Sequence, residues 1–233
     1  MDRDSPETWD RETLLRVTRR AIHDLAEPVR GMSTVLAMIQ DPEMPEDERR
    51  DLLDLAGVAA TRATDLLAGL RRLVAALEDP LDCGPVDLAP LCATVWSDVG
   101  GGTGDLSCDV DLRVQADARA LAQVLAELFR NVLAHGGGCA HVTAHAEDGW
   151  GVILVRDRGP GLDHDQAQAV FAPFHRLRPK SEIEGAGLGL SVARALVTRM
   201  GGQIRIIATD EGGGVRVDLP LPGAAIGDDR GQN

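Results

Sequence analysis

Two glycine-rich stretches, DRGPGL (residues 157–162) and EGAGLGL (residues 184–190), could hold a nucleotide between them. The apolar run at 152–155 reads as a buried strand delivering Asp157 to a sheet end, where a carboxylate can accept the exocyclic amine of a base. Gly159 and Gly161 permit a tight bend close to a ligand. Gly187 and Gly189 open a helix, and bare N–H groups at a helix start attract phosphate. Each cluster alone also fits an ordinary turn, since 26 of the 233 residues are glycine. What points to a nucleotide site is their order: strand, acidic turn, short helix, basic loop, glycine-rich helix start.

Three further groups could act on such a ligand. VFAPFHRLRPKSE (residues 170–182) reads as a lid, with Phe171 and Phe174 as anchors and Arg176, Arg178 and Lys180 as positive charge. A solvated basic loop is the plainer alternative. Glu127 and Asn131, in LAELFRNVLAHG (residues 125–136), stand four apart on one helix face. A carboxylate and an amide together could orient water and hold Mg²⁺ beside phosphates, or simply line a solvated face. His23 and Asp24 open HDLAEPVR (residues 23–30). An exposed imidazole on a rigid helix suits a nucleophile that another domain must reach, with the carboxylate on its second nitrogen. A His beside an Asp is also a common surface pair.

These groups need elements to position them. Residues 9–40 read as one helix: Leu15, Ile22, Val29 and Leu36 recur every seven residues, with Thr18, Leu25, Met32 and Ile39 three further on. Pro28 lies inside and should kink it. After a Pro-containing turn at 41–48, a second helix over 46–78 carries Leu52, Leu55, Ala59, Leu66, Leu70, Leu73 and Leu77. The apolar stripe of this hairpin is too broad for two helices, and a homodimeric four-helix bundle would cover it. Residues 80–85 read as a linker. Beyond them the spacing predicts helices at 88–99, 117–134, 163–171 and 187–200, and strands at 106–112, 140–146, 151–157, 203–208 and 214–219. The fold class is α+β: a helical hairpin followed by an α/β sandwich whose mixed or antiparallel sheet carries helices on one face. The domains are 9–80 and 86–221, with a disordered tail at 222–233.

Composition narrows the partners. A net charge of −13 excludes a nucleic-acid surface, which needs Lys and Arg on phosphates. Only three Phe, three Trp and no Tyr are present, so the core must be Leu, Val and Ala. Cys83, Cys92, Cys108 and Cys139 show no zinc-type spacing and suit the free thiols of a reducing cytoplasm. No apolar run approaches the 18 residues of a membrane span, so a cytoplasmic location is expected.

Taken in order, the motifs resemble the histidine kinases of two-component signalling. HDLAEPVR resembles a phosphoacceptor box of the phytochrome-like group, LAELFRNVLAHG the N box and DRGPGL the first glycine box. VFAPFHRL (residues 170–177) resembles the F box, and EGAGLGLSVARALVTRMGG (residues 184–202) the second glycine box. The resemblance covers residues 10 to 220 and implies an ATP-binding domain of the kind shared with gyrase. It implies that His23 accepts the γ-phosphoryl group of ATP with Asp24 as general base. Glu127 would stand beside Mg²⁺ and its water, and Asn131 would hold the metal. Asp157 would read adenine, while Gly159, Gly161, Phe174, Arg176, Lys180, Gly187, Leu188 and Gly189 shape the nucleotide pocket. The phosphoryl group would pass to an Asp on the receiver domain of a response regulator.

The chain departs from the family in three places. Ala134 and His135 stand where the N box often continues with Lys and Tyr, which removes a phosphate contact or moves it to the lid. Glu27 follows His23 by four, where relatives with phosphatase activity carry Thr or Asn, so little phosphatase activity is expected. The 22 residues before His23 are too few for a sensor domain, so a separate input protein is expected. Two other classes compete: a dimeric phosphotransfer adaptor that binds response regulators without using ATP, and a related ATPase or anti-sigma serine kinase. Intact glycine boxes count against the adaptor, and the long hairpin with His23 counts against the ATPase.

Overall fold

A computed structural model describes residues 11–102, 105–162, 164–175, 186–209 and 212–223. The chain begins with two long antiparallel helices, α1 (Arg11–Met38) and α2 (Glu46–Glu78). The turn between them is pinned by Arg49, whose guanidinium donates to the carbonyls of Ile39 and Asp41. Pro45 precedes α2, and Glu46, Asp47 and Glu48 place negative charge on its first turn, where the helix dipole favours it. α1 remains helical through Pro28. The seven-residue stripe does not face α2: Leu15, Ile22, Val29 and Leu36 are 46–65% exposed. The buried side of α1 holds Val35, and Leu25 and Met32 are half-buried.

The rest of the chain alternates strands and helices. In order come β1 (Gly84–Asp87), α3 (Leu88–Asp98), β2 (Leu106–Asp109), β3 (Arg113–Ala116) and α4 (Ala118–His135). There follow β4 (Ala140–Glu147), β5 (Trp150–Arg156), α5 (His164–Ala169), α6 (Gly189–Arg199), β6 (Gln203–Thr209) and β7 (Gly212–Pro220). The main sheet has the order β2-β4-β5-β7-β6, parallel between β2 and β4 and antiparallel elsewhere. Positive φ at Asp148 and Gly149 gives the two-residue turn that joins β4 to β5.

Two strands, β1 and β3, are absent from the sequence reading. Residues 84–87, taken there with the linker and the helix start, pair antiparallel with Arg113–Ala116 as a two-stranded sheet. Four residues per strand give too little alternation to be seen, and Pro85 is tolerated because the strand is an edge.

The core lies between the main sheet and α3, α4 and α6. Leu121, Leu125, Leu128, Phe129, Val142, Ile153, Val192, Val217 and Leu219 are buried there, and Trp96 meets Phe129 edge-to-face with ring centroids 5.2 Å apart. Each such side chain contributes roughly 1.5–3 kcal/mol of burial. The core also reaches into the hairpin: Leu66, Leu73 and Ala76 of α2 belong to the same cluster. The helical hairpin and the sandwich therefore meet along the second half of α2.

Candidate nucleotide site

The α4 helix carries both ends of the site. It starts at Asp117, whose Oδ1 accepts from the N–H groups of Arg119 and Ala120 and whose Oδ2 accepts from Asp82 N–H at 2.8 Å. One buried carboxylate thus caps α4 and ties down the segment that follows α2. Burial by itself would raise the pKa of this carboxyl, but the amides of Ala120, Asp82 and Arg119 outweigh it and hold the pKa below the usual Asp value.

At the far end of α4 stands Asp157, delivered by β5. Its Oδ1 accepts from Gly159 N–H at 2.6 Å. Bare backbone packs closely around the carboxylate. A Cβ at Gly136 would come within 2.5 Å of Asp157 Cβ, and one at Gly213 within 3.4 Å of Asp157 Oδ1. Arg158 N–H donates to the Gly136 carbonyl, which holds the end of α4 to the strand end. Gly161 has φ +69°, a conformation that favours glycine. Gly136 and Gly213 were missed in the sequence; the run GGG at 136–138, directly after the N-box segment, was the available signal.

Nine residues earlier on α4, about 13 Å along the axis, Glu127 is buried to 5% exposure. Its Oε2 faces Gly189, the first residue of α6, where a Cβ would stand 2.7 Å away. Its Oε1 lies 2.9 Å from Arg130 Nη1 and 3.3 Å from Arg72 Nε, yet neither N–H is aligned on it as a hydrogen bond. Asn131 is half-buried one turn further along. Both arginines were missed in the sequence, because Arg72 is 55 positions away and Arg130 reads as a solvated residue.

The stretch before α6 is tied back on itself. Phe174 N–H donates to the Gly187 carbonyl at 2.8 Å, which joins the residues after α5 to those before α6. Phe171 and Phe174 are buried, and Phe174 has φ +62°, uncommon for a bulky residue. Gly187 has φ +68°, and Leu188 is buried against α2 beside Gly69. Arg176, Arg178 and Lys180 lie outside the described residues.

His23 and Asp24 are carried by α1. The imidazole is 65% exposed, and its Nδ1 is 3.0 Å from Asp24 Oδ1. Asp24 is held in turn by Arg20 Nε at 3.0 Å. A carboxylate can only accept, so the neutral ring carries its proton on Nδ1 and keeps a lone pair on Nε2. Glu27 joins the group, with one donor atom of each residue within 4.8 Å of the others. Among the described residues, no helix is long and apolar enough to cross a membrane.

The arrangement thus offers a carboxylate among glycines at the end of α4 and a helix N-terminus beside a buried carboxylate at its middle. The span between them suits an extended nucleotide triphosphate better than a small anion.

Comparison with known proteins agrees. Residues 116–225 match the family model of the histidine kinase-, DNA gyrase B- and HSP90-like ATPases. The signal transduction histidine-protein kinase/phosphatase MprB of Mycolicibacterium smegmatis is 29% identical over 243 residues, covering 94% of this chain and 47% of MprB. The histidine-protein kinase AfsQ2 of Streptomyces coelicolor is 37% identical over 158 residues, covering 66% of this chain and 28% of AfsQ2. The chain spans about half the length of MprB and less of AfsQ2. In fold it is similar to the histidine kinase ThkA, solved in complex with the response regulator TrrA, with a TM-score of 0.63 at 20% identity over 90% of this chain and 62% of that one. By these matches, residues 116–225 are similar to the histidine kinase-, DNA gyrase B- and HSP90-like ATPases, and the chain that carries them is similar to histidine-protein kinases of signal transduction.

Proposed function

We propose that this protein phosphorylates itself on His23 at the expense of ATP and passes the phosphoryl group to an Asp of a response regulator. The observation that carries this reading is the placing of two carboxylates along α4, with Asp157 among Gly136, Gly159 and Gly213 beside its last turn and Glu127 against Gly189 at its middle. Adenine binds at Asp157, and the phosphates lie at the start of α6, where unpaired N–H groups favour anions. Leu188 stands at that helix start, and Arg176 and Lys180 would supply positive charge to the phosphates.

The resemblance also implies Mg²⁺. Glu127 Oε1, which is buried with no hydrogen bond aligned on it, would be a ligand once Arg130 and Arg72, at 2.9 and 3.3 Å, give way to the metal, and Asn131 stands one turn away on α4. Bound there, Mg²⁺ would neutralise charge on the phosphates during transfer.

His23 Nε2 attacks the γ-phosphorus, forming the N–P bond as the bond from the γ-phosphorus to the β,γ-bridging oxygen breaks and ADP leaves. The Nδ1 proton passes to Asp24, which Arg20 keeps in place. The acceptor works as a homodimer, because the stripe Leu15, Ile22, Val29 and Leu36 lies open along the whole of α1. The setting is the cytoplasm, where ATP and response regulators are found.

The test is incubation with Mg²⁺ and γ-labelled ATP, comparing wild type with His23→Ala. Acid-labile, alkali-stable label that is absent from the variant supports the reading. A folded dimer that binds no ATP and takes no label replaces it with the phosphotransfer adaptor.

A further inference from the structure

Arg72 is the one charged side chain of α2 that the structure pairs with the buried carboxylate of the nucleotide site, through Glu127 Oε1 at 3.3 Å. Two other contacts seat the same face. Gly69 lies against Leu188 and Ala186, leaving so little room that a Cβ on Gly69 would be 2.9 Å from Leu188 Cδ1. Arg199, near the end of α6, donates to the carbonyls of Ala76 at 2.7 Å and Asp79 at 2.6 Å, closing the last turn of α2. The α4–α6 face therefore docks along residues 69–79 of α2.

That position is out of register with the phosphoacceptor. α1 ends at Met38 and α2 starts at Glu46, so antiparallel pairing sets His23 level with the neighbourhood of Thr61. Gly69, which touches the start of the phosphate cradle, is eight residues further, about 12 Å along the helix axis. Reacting atoms must approach to about 3–3.5 Å. A face docked at Gly69 has to move along or away from α2 before His23 can be reached. A parallel partner hairpin presents its own His23 at the same level, so the mismatch holds for transfer within or between subunits.

We propose that the Arg72–Glu127 ion pair is a latch across the two parts of the chain, holding the nucleotide-binding face on the lower half of α2 and opening before phosphoryl transfer to His23. Arg72 is thus a positioning residue: it acts through Glu127, and its guanidinium is placed where the docked and transferring arrangements must differ. The geometry suits a contact that can open. Arg72 is 43% exposed, and its N–H is not aligned on Oε1, so the attraction is one of charge without a directed hydrogen bond.

The proposal rests on the kinase reading, and two readouts separate the two. The full chain is compared as wild type, Arg72→Gln and Arg72→Lys, by initial rate of His23 labelling at saturating Mg²⁺-ATP with KM for ATP, and by amide hydrogen exchange at residues 186–190. The expected result for Arg72→Gln is a rate raised about fivefold, the ratio one partly exposed ion pair can shift. KM is unchanged and exchange at 186–190 is faster, while Arg72→Lys returns both to wild-type values. A rate equal to or below wild type in Arg72→Gln, or unchanged exchange, overturns the latch. A wild type that takes no label on His23 while exchange responds as expected sinks the kinase reading and leaves the docking contact standing.

Discussion

Glu127 and Gly189 are matched by space: the carboxylate fills the place where a Cβ on residue 189 would stand, 2.7 Å from Oε2. The bare first residue of α6 is what allows an acidic group to be buried at a helix N-terminus. Gly189→Ala is therefore expected to push the carboxylate aside and lower the rate of His23 labelling by about tenfold or more, the scale on which a displaced acid–base group acts. Thermal melting should show a folded protein. A variant with the wild-type rate would show that this carboxylate position has no part in the reaction.

Asp157 is held by the same kind of fit. Asp157→Asn should abolish ATP binding, because the amide cannot replace the charged acceptor facing a base amine. Gly136→Ala should give the same loss from the other side, since its Cβ would come within 2.5 Å of Asp157 Cβ and force the carboxylate out of place. Nucleotide titration of both variants checks this, and unchanged affinity in Asp157→Asn would remove it from base recognition.

Asp117 makes stability depend on acid. Its folded pKa is lowered, despite burial, by the amides of Ala120, Asp82 and Arg119. A group with a depressed folded pKa stabilises the fold above its unfolded value near 3.9 and loses that contribution as pH falls through the folded value. Asp117→Asn should cost about 1 kcal/mol or more at pH 7, because the amide oxygen keeps the cap while its NH₂ meets Asp82 N–H and leaves that donor unpaired. The difference in Tm between wild type and variant should shrink as pH drops below about 4. A gap that stays constant between pH 7 and pH 3 would count against the charged cap.

Cys92 should be chemically silent in the folded state. Burial first, and then the neighbouring Cys108 thiol, push its pKa up to about 12, so almost no thiolate exists at pH 8. Mass spectrometry after alkylation should find Cys92 unmodified in native protein and modified in denaturant. Native-state modification would mean that α3 opens far more often than its packing allows.

The open stripe on α1 predicts association. Sedimentation at micromolar concentration should give a dimer, and Ile22→Asp should shift it toward monomer, since Ile22 is 65% exposed in the single chain. A wild-type monomer would sink the bundle.

The sequence by itself determined the longer elements and the order of the motifs. Periodicity of 3.6 placed α2 at 46–78, and the apolar run before Asp157 placed the end of β5, because local patterning depends only on which side of each element is buried. It also showed Gly187 and Gly189 opening a helix, and His23 pointing outward next to a stripe residue. Tertiary structure decided what no spacing encodes. The pairing of Gly84–Asp87 with Arg113–Ala116 joins segments 26 residues or more apart. Gly136 and Gly213 meet around Asp157 only once α4, β5 and β7 are assembled. The stripe on α1, which a heptad pattern alone would bury against α2, lies open instead, because pattern gives the apolar face and packing chooses its partner. Arg72 meets Glu127 only because the apolar side of α2, through Leu66, Leu73 and Ala76, is shared with the core of the sandwich.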